Sequence, residues 1–294
     1  MTSPHTFHIP VMGLAYTIDS PIKVARFGIS SVISIVEDKL IELMRQHYYK
    51  QVNRPFVAIT PNEPDYRARR ITDYLNLVNE IVNNQVLEMK ASDFESHSDL
   101  VKYFEMLPEN SALKLLYLQM QKEQNPEKRT AIKESLKQQI IPGAIDVNIM
   151  TKVDKDNYRK DGTLLEESSD ALAALRGYMN SNLTHSSVIF SAGMNPRLFN
   201  YLENFPQLPG KNGEFEKKIV IKVSDYRSAL IQGKYLAKKG IWVSEFRIES
   251  GLNCGGHAFA TDGFLLGPIL QEFIDKKEAL SEALFAIYKP VIEN

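Results

Sequence analysis

Ile241-Trp-Val-Ser-Glu-Phe-Arg-Ile248, followed at once by Glu249-Ser-Gly-Leu-Asn-Cys-Gly-Gly-His257-Ala-Phe259, is the stretch from which the fold can be read. Its first half is rich in the β-branched and aromatic residues that suit a strand. Its second half puts three glycines, Gly251, Gly255 and Gly256, within six residues and a histidine directly after them. Glycine lets a backbone approach a ligand closely and take positive φ. A histidine at a strand's carboxyl end can take or give a proton near pH 7. A helical pattern then opens near Leu265. Strand, glycine-rich loop, histidine and helix together are the layout of a parallel α/β enzyme site.

Working outward, the same alternation recurs. Ile9 to Ala15 and Ile29 to Ile35 are apolar runs that predict buried strands. Between them, Ser20 and Pro21 predict a helix start with Ser20 as N-cap, and Gly28 its stop. Further strands are expected at Ile145–Met150, Ser187–Ala192, Lys218–Val223 and Ile241–Ile248. Leu172, Leu175, Tyr178 and Met179 mark one intervening helix; a second starts at Ser224 or Asp225 and stops at Gly240. Alternating strands and helices with short turns predict α/β architecture with a parallel sheet.

Residues 62–140 differ in texture. Ile71, Tyr74, Leu75, Val78, Ile81 and Val82 recur at helical spacing, and three more helix-favouring clusters follow, up to Gln139. Phe56 to Thr60 just before them is a candidate short strand. The expectation is a single domain over residues 1–294, with 62–140 a helical insertion that packs on the sheet's exterior or caps it. Arg67, Arg69 and Arg70 read as a solvated helix face because Asp65 and Asp73 flank them. Six strands are two short of a closed (β/α)8 barrel, and roughly 215 residues outside the insertion are fewer than the ~250 typical of one. The fold class expected is therefore TIM-barrel-like α/β, incomplete by its last two strands, with an open sheet as the alternative.

Bulk properties narrow the function. With 294 residues, 44% hydrophobic and 24% charged, the composition is that of a globular protein. A net charge of −1 supplies no field to recruit nucleic acid or an anionic membrane. The single cysteine gives no internal disulfide and fits a reducing compartment. The first residues lack a signal peptide's pattern, and no run reaches the ~20 apolar residues of a membrane span. The expectation is a cytoplasmic protein with a small-molecule substrate. Zinc spacing, Ser-His-Asp order, a Walker loop and a dinucleotide fingerprint are all missing from the sequence.

Three segments, Ile219 to Leu230, Ala237 to Glu245 and Gly251 to His257, together resemble the nitronate monooxygenase (2-nitropropane dioxygenase-like) family of FMN-dependent TIM-barrel oxidoreductases. Pro10-Val-Met-Gly-Leu-Ala15 is similar to that family's first strand, Asn148 to a flavin-contacting asparagine ending its third, and Ser191-Ala-Gly193 to the small-residue end of its fourth. Cys254 stands where the family has alanine, and Asn253 where it often has glutamate. The segments around Lys152 and Ser191 also resemble the FMN domain of glutamate synthase. The resemblance implies FMN across the strands' carboxyl ends and His257 as acid/base beside it. The family's two further phosphate-binding loops, after its seventh and eighth strands, have no counterpart here, in line with the strand count.

The same residues have plainer readings. His257 could merely cap its turn, but its place at a strand's carboxyl end favours catalysis. Gly255 and Gly256 could face a phosphate or flavin edge with their N–H groups, or simply turn the chain. Met12 and Gly13 would set main chain against the flavin ring, or end a buried strand. Asn148 needs a polar partner, either a ring heteroatom or neighbouring backbone. Lys222, more than Lys152, would stabilise charge near the ring; the alternative is a solvated lysine. Cys254 reads as a small residue under the turn. An inward charge at Glu245 or Arg247 could be functional, or could form an ion pair with a neighbouring strand. His5, His8, His47, His97 and His185 read as surface or turn histidines. Two other readings stand beside the oxidoreductase: a non-catalytic binding or scaffold barrel, and a flavin-free phosphate-binding TIM-barrel enzyme.

Overall fold

The computed structural model describes residues 4–12, 17–149, 154–158, 161–164, 169–206, 208, 215–249 and 266–293. Six strands form one sheet: β1 His8–Ile9, β2 Ser30–Ser34, β3 Ile145–Ile149, β4 Ser186–Phe190, β5 Lys217–Val223 and β6 Val243–Ile248, side by side in chain order. The registered pairs β1–β2, β3–β4, β4–β5 and β5–β6 are all parallel. A doubly wound sheet reverses its strand order at a switch point; this one does not. Sequential parallel order is that of the TIM barrel, so the fold is TIM-barrel-like α/β with six strands among the described residues. Every residue of β2 and β3 is buried, as parallel strands covered on both faces require.

The chain divides into two compact units, Met1–Ala58 with Asp73–Asp146, and Ile59–Thr72 with Val147–Asn294. In the first, α1 (Ser20–Val24) tightens into a 3-10 turn at Ala25–Phe27 and stops at Gly28, whose φ of 75° is left-handed. Pro21 lies in the first turn as expected, but the capping position is Asp19, not Ser20. The Asp19 carboxylate is drawn away from the helix end by Lys23 Nζ at 2.7 Å and Tyr48 OH at 2.9 Å. His5 is buried rather than at the surface, with Nε2 3.1 Å from the Phe27 carbonyl oxygen.

Helix α2 (Asp38–Gln51) has no counterpart in the sequence reading. Only Ile41 and Arg45 are buried on it, so the inward position that should carry an apolar residue carries a guanidinium instead. Arg45 donates to Glu42 at 2.6 Å, Asp73 at 2.7 Å and the Val57 carbonyl at 3.3 Å. The expected strand at Phe56–Thr60 is irregular chain.

Residues 66–138 carry four helices and no strand: α3 Tyr66–Ala91, α4 Asp99–Glu105, α5 Ala112–Lys122 and α6 Pro126–Gln138. From Asp73 onward they belong to the first unit. Ser98, Ser111 and Asn125 each accept a hydrogen bond from a first-turn N–H of α4, α5 and α6. Their core holds Leu100, Tyr103, Phe104, Leu107 and Met120, and the rings of Phe94, Phe104 and Tyr117 stack on one another at centroid distances of 5.4 to 6.4 Å. The entry to β3 runs tightly along β2, Ser31 N donating to Ala144 O at 3.0 Å, and a Cβ on Gly143 would overlap the backbone of Ile29 and Ser30.

In the second unit the helices are α7 Asp170–Met179, α8 Pro196–Tyr201, α9 Tyr226–Ala237 and α10 Leu266–Ile292. Ser169, Asn195 and Asp225 cap α7, α8 and α9 with side-chain acceptors. The arginines at the start of α3 are not a solvated face. Arg67 and Arg70 are buried, 7% and 6% exposed, and only Arg69 is open to solvent. Arg70 donates to the Ile59 carbonyl and lies over the Tyr66 ring; Arg67 Nε is 3.7 Å from Asp170. Gly177 of α7 lets Ile71 in, since a Cβ there would come within 2.6 Å of the isoleucine side chain. Arg176 chelates Asp65 at 2.6 and 3.0 Å. Burial works against its charge, but Asp65 and Tyr201 outweigh burial and raise its pKa. No helix among the described residues is long and apolar enough to cross a membrane.

Candidate functional site

Active sites of barrels of parallel strands gather at the strands' carboxyl ends, and the second unit brings a polar group to each such end of β3, β4, β5 and β6. Phe190, Ile221 and Phe246 share one rung of β4, β5 and β6. Phe246 faces the helices, because a Cβ on Gly233 of α9 would lie 3.2 Å from its ring. Residues one place either side point to the opposite face. That face carries Asn148 on β3, Lys222 on β5, and Glu245 and Arg247 on β6.

Lys222 and Arg247 are register partners on neighbouring strands. Each is held by a glutamate: Lys222 Nζ to Glu249 Oε1 at 2.7 Å, and Arg247 Nε to Glu245 Oε1 at 2.5 Å. Glu249 is fixed at its own backbone, donating from N to the Val223 carbonyl at 2.8 Å, which carries the β5–β6 pairing one residue past the strand. Among the described residues, this brings two cations and two anions together at the ends of β5 and β6. The cations lie deeper, with side chains 21% and 16% exposed for Lys222 and Arg247 against 34% and 48% for Glu249 and Glu245. Glu245 and Arg247 thus form an ion pair along β6 itself. Glu249 had not been singled out; its signal was the i, i+2, i+4 spacing of Glu245, Arg247 and Glu249.

Just beyond β5, Asp225 caps α9. Burial pushes its carboxyl up, but hydrogen bonds from Ser224 and Ser228 outweigh that and hold its pKa below the usual value.

Asn148 is 7% exposed and pairs in register with Ile189 and, through it, Val220. Two strand spacings of ~4.8 Å and two residues of rise separate it from Lys222, on the order of 12 Å between backbones. Ser191 follows β4 directly and is partly buried. So Asn148, Ser191 and Lys222 stand at the carboxyl ends of three consecutive strands. Met12 belongs to the first unit, three residues past β1, with its side chain 63% exposed. Gly13, Lys152, Cys254, Gly255, Gly256 and His257 lie outside the described residues. Of the other histidines, His8 and His47 are exposed, and His97 and His185 sit in turns with φ of 63° and 53°. Among the described residues no group of three or more His, Cys, Asp or Glu side chains could hold a metal ion.

Comparison with known proteins gives no match: no family model, curated protein or solved structure is significantly similar to the chain.

Proposed function

We propose that the chain is an FMN-dependent oxidoreductase of the nitronate monooxygenase-like group, acting on a small-molecule substrate with His257 as acid/base. One observation carries the reading furthest. Asn148, Ser191 and Lys222 stand at the carboxyl ends of consecutive parallel strands in a sheet of TIM-barrel order. The resemblance of the Gly251 to His257 segment supplies the rest.

The donor set suits the polar edge of a flavin ring. The Asn148 amide offers both a donor and an acceptor, Ser191 a hydroxyl that can do either, and Lys222 three N–H donors on a cation. When bound, FMN supplies the two-electron acceptor. Lys222 then sets positive charge where electron density would rise. Its present partner is Glu249, so a ligand must share Lys222 with that carboxylate or displace it. Gly255 and Gly256 would turn backbone N–H groups toward phosphate or ring edge. His257 would take the proton from an acidic carbon of the substrate. A single cysteine and near-zero net charge fit a reducing, cytoplasmic setting.

The test is absorbance. Purified protein that shows the two flavin bands, or acquires them on titration with FMN, supports the proposal. A colourless protein that takes up no FMN ends it.

A further inference from the structure

We propose that Lys222 and Arg247 form a two-cation seat for the oxyanion of a substrate acid, carboxylate or phosphate, with Glu249 and Glu245 as the protein's own place-holders. The inference rests on the reading that the strands' carboxyl ends are the ligand side, and it names the substrate chemistry there.

Three features of the site carry it. First, two cations share one rung of the β5–β6 pair, on strands ~4.8 Å apart. Two like charges this close repel one another and need anions to offset them. Second, the carboxylates that offset them lie toward solvent while the cations lie inward. A ligand arriving from solvent meets the glutamates first and can replace them without moving the cations. Third, partly exposed ion pairs contribute little, so the competition is mild. A bound oxyanion would gain charge-assisted hydrogen bonds from both cations at once. An ammonium has three N–H donors, so Lys222 Nζ, paired with Glu249, can serve a cofactor ring and a substrate anion together. The bulge between Ile219 and Val220 shifts β6 by one residue and so brings Arg247, rather than Phe246, opposite Lys222.

The experiment is calorimetric titration of the full chain with propionate and, separately, inorganic phosphate, at constant ionic strength. The wild type should bind at least one of them, and the tighter probe identifies the substrate's acid group. Glu249→Gln should bind that probe about fivefold tighter, because a competing carboxylate is gone. Lys222→Gln and Arg247→Gln should each bind it about tenfold more weakly. Should Glu249→Gln fail to fold, Glu245→Gln tests the same competition at Arg247. Unchanged affinity in the glutamate variant together with unchanged affinity in Arg247→Gln overturns the seat, as does failure of the wild type to bind either probe. FMN absorbance of the same samples separates the two proposals. Oxyanion binding in this order by a protein that takes up no FMN keeps the seat and removes the cofactor. A flavin-bound protein whose titrations ignore these residues does the reverse.

Discussion

Lys217 Nζ donates to the Tyr178 carbonyl at 2.6 Å and stands 4.7 Å from the centroid of the same residue's ring. It also reaches the Ser181 carbonyl at 2.8 Å. The first residue of β5 thereby ties the end of α7 to the sheet. Burial pushes its ammonium down from 10.5 to about 8. A base whose pKa falls on folding holds fewer protons in the native state than in the unfolded one between those two values. Stability therefore rises with pH across that window. The predicted gain between about pH 8 and pH 10 is at most about 3 kcal/mol. Urea midpoints across the window should shift upward, and Lys217→Met should flatten the shift. Above pH 10 the sign reverses, because burial raises the Tyr74 hydroxyl and the native state then keeps a proton that the unfolded chain loses.

Gly143 has no room for a side chain. Its N–H donates to Ala25 O at 2.8 Å, and a Cβ would meet the backbone of Ile29 and Ser30, which cannot swing aside as a side chain can. Gly143→Ala is predicted to cost about 3 kcal/mol or more, at or above the upper end for overpacking. Thermal unfolding measures it. An unshifted midpoint would mean that β2 and the entry to β3 separate easily.

What the sequence showed plainly was local. Apolar runs such as Ile219-Val-Ile are buried on both faces because parallel strands are, and Asp225 and Gly28 mark helix ends through their own backbone chemistry. What it hid depends on distant partners. Arg67 is buried beside Asp170, about a hundred residues on, while local acids made it look solvated. His5 is buried against a carbonyl of residue 27. In the site, Lys222 was visible as a polar residue ending a strand. Its pairing with Glu249 and its rung with Arg247 follow from the β5–β6 register, which a bulge shifts by one residue and no periodicity reveals.

Arg45 explains why α2 escaped the apolar pattern, and it sets a third prediction. Its side chain is 4% exposed and joins Glu42, Asp73 and the Val57 carbonyl. Arg45→Ala leaves two carboxylates facing each other and removes the packing of the stem. Asp73 is a third exposed and will be partly solvated in the variant. The expected loss is about 2 kcal/mol, below the ~3–5 kcal/mol of a fully buried pair. Arg45→Ala with Asp73→Asn should lose less than Arg45→Ala alone, a double-mutant comparison by chemical denaturation. Equal losses would show that the carboxylates carry none of the effect.

The proposed chemistry predicts opposite consequences for two residues. Asn148 is buried at the end of β3, where an amide can both donate to and accept from a ring edge. Asn148→Leu should therefore weaken FMN binding, by about tenfold for the hydrogen bonds lost. His257 is assigned to the proton and not to holding the cofactor. His257→Ala should leave FMN binding within about twofold, and slow flavin reduction by substrate about a hundredfold or more, the contribution of a placed acid/base. FMN titration and anaerobic stopped-flow reduction separate the two effects. Unchanged reduction in His257→Ala would take that residue out of the mechanism. Lost flavin in the same variant would instead make it part of the cofactor's cradle, and the acid/base role would have to pass to another group at the carboxyl ends, with Glu249 beside Lys222 the first to replace.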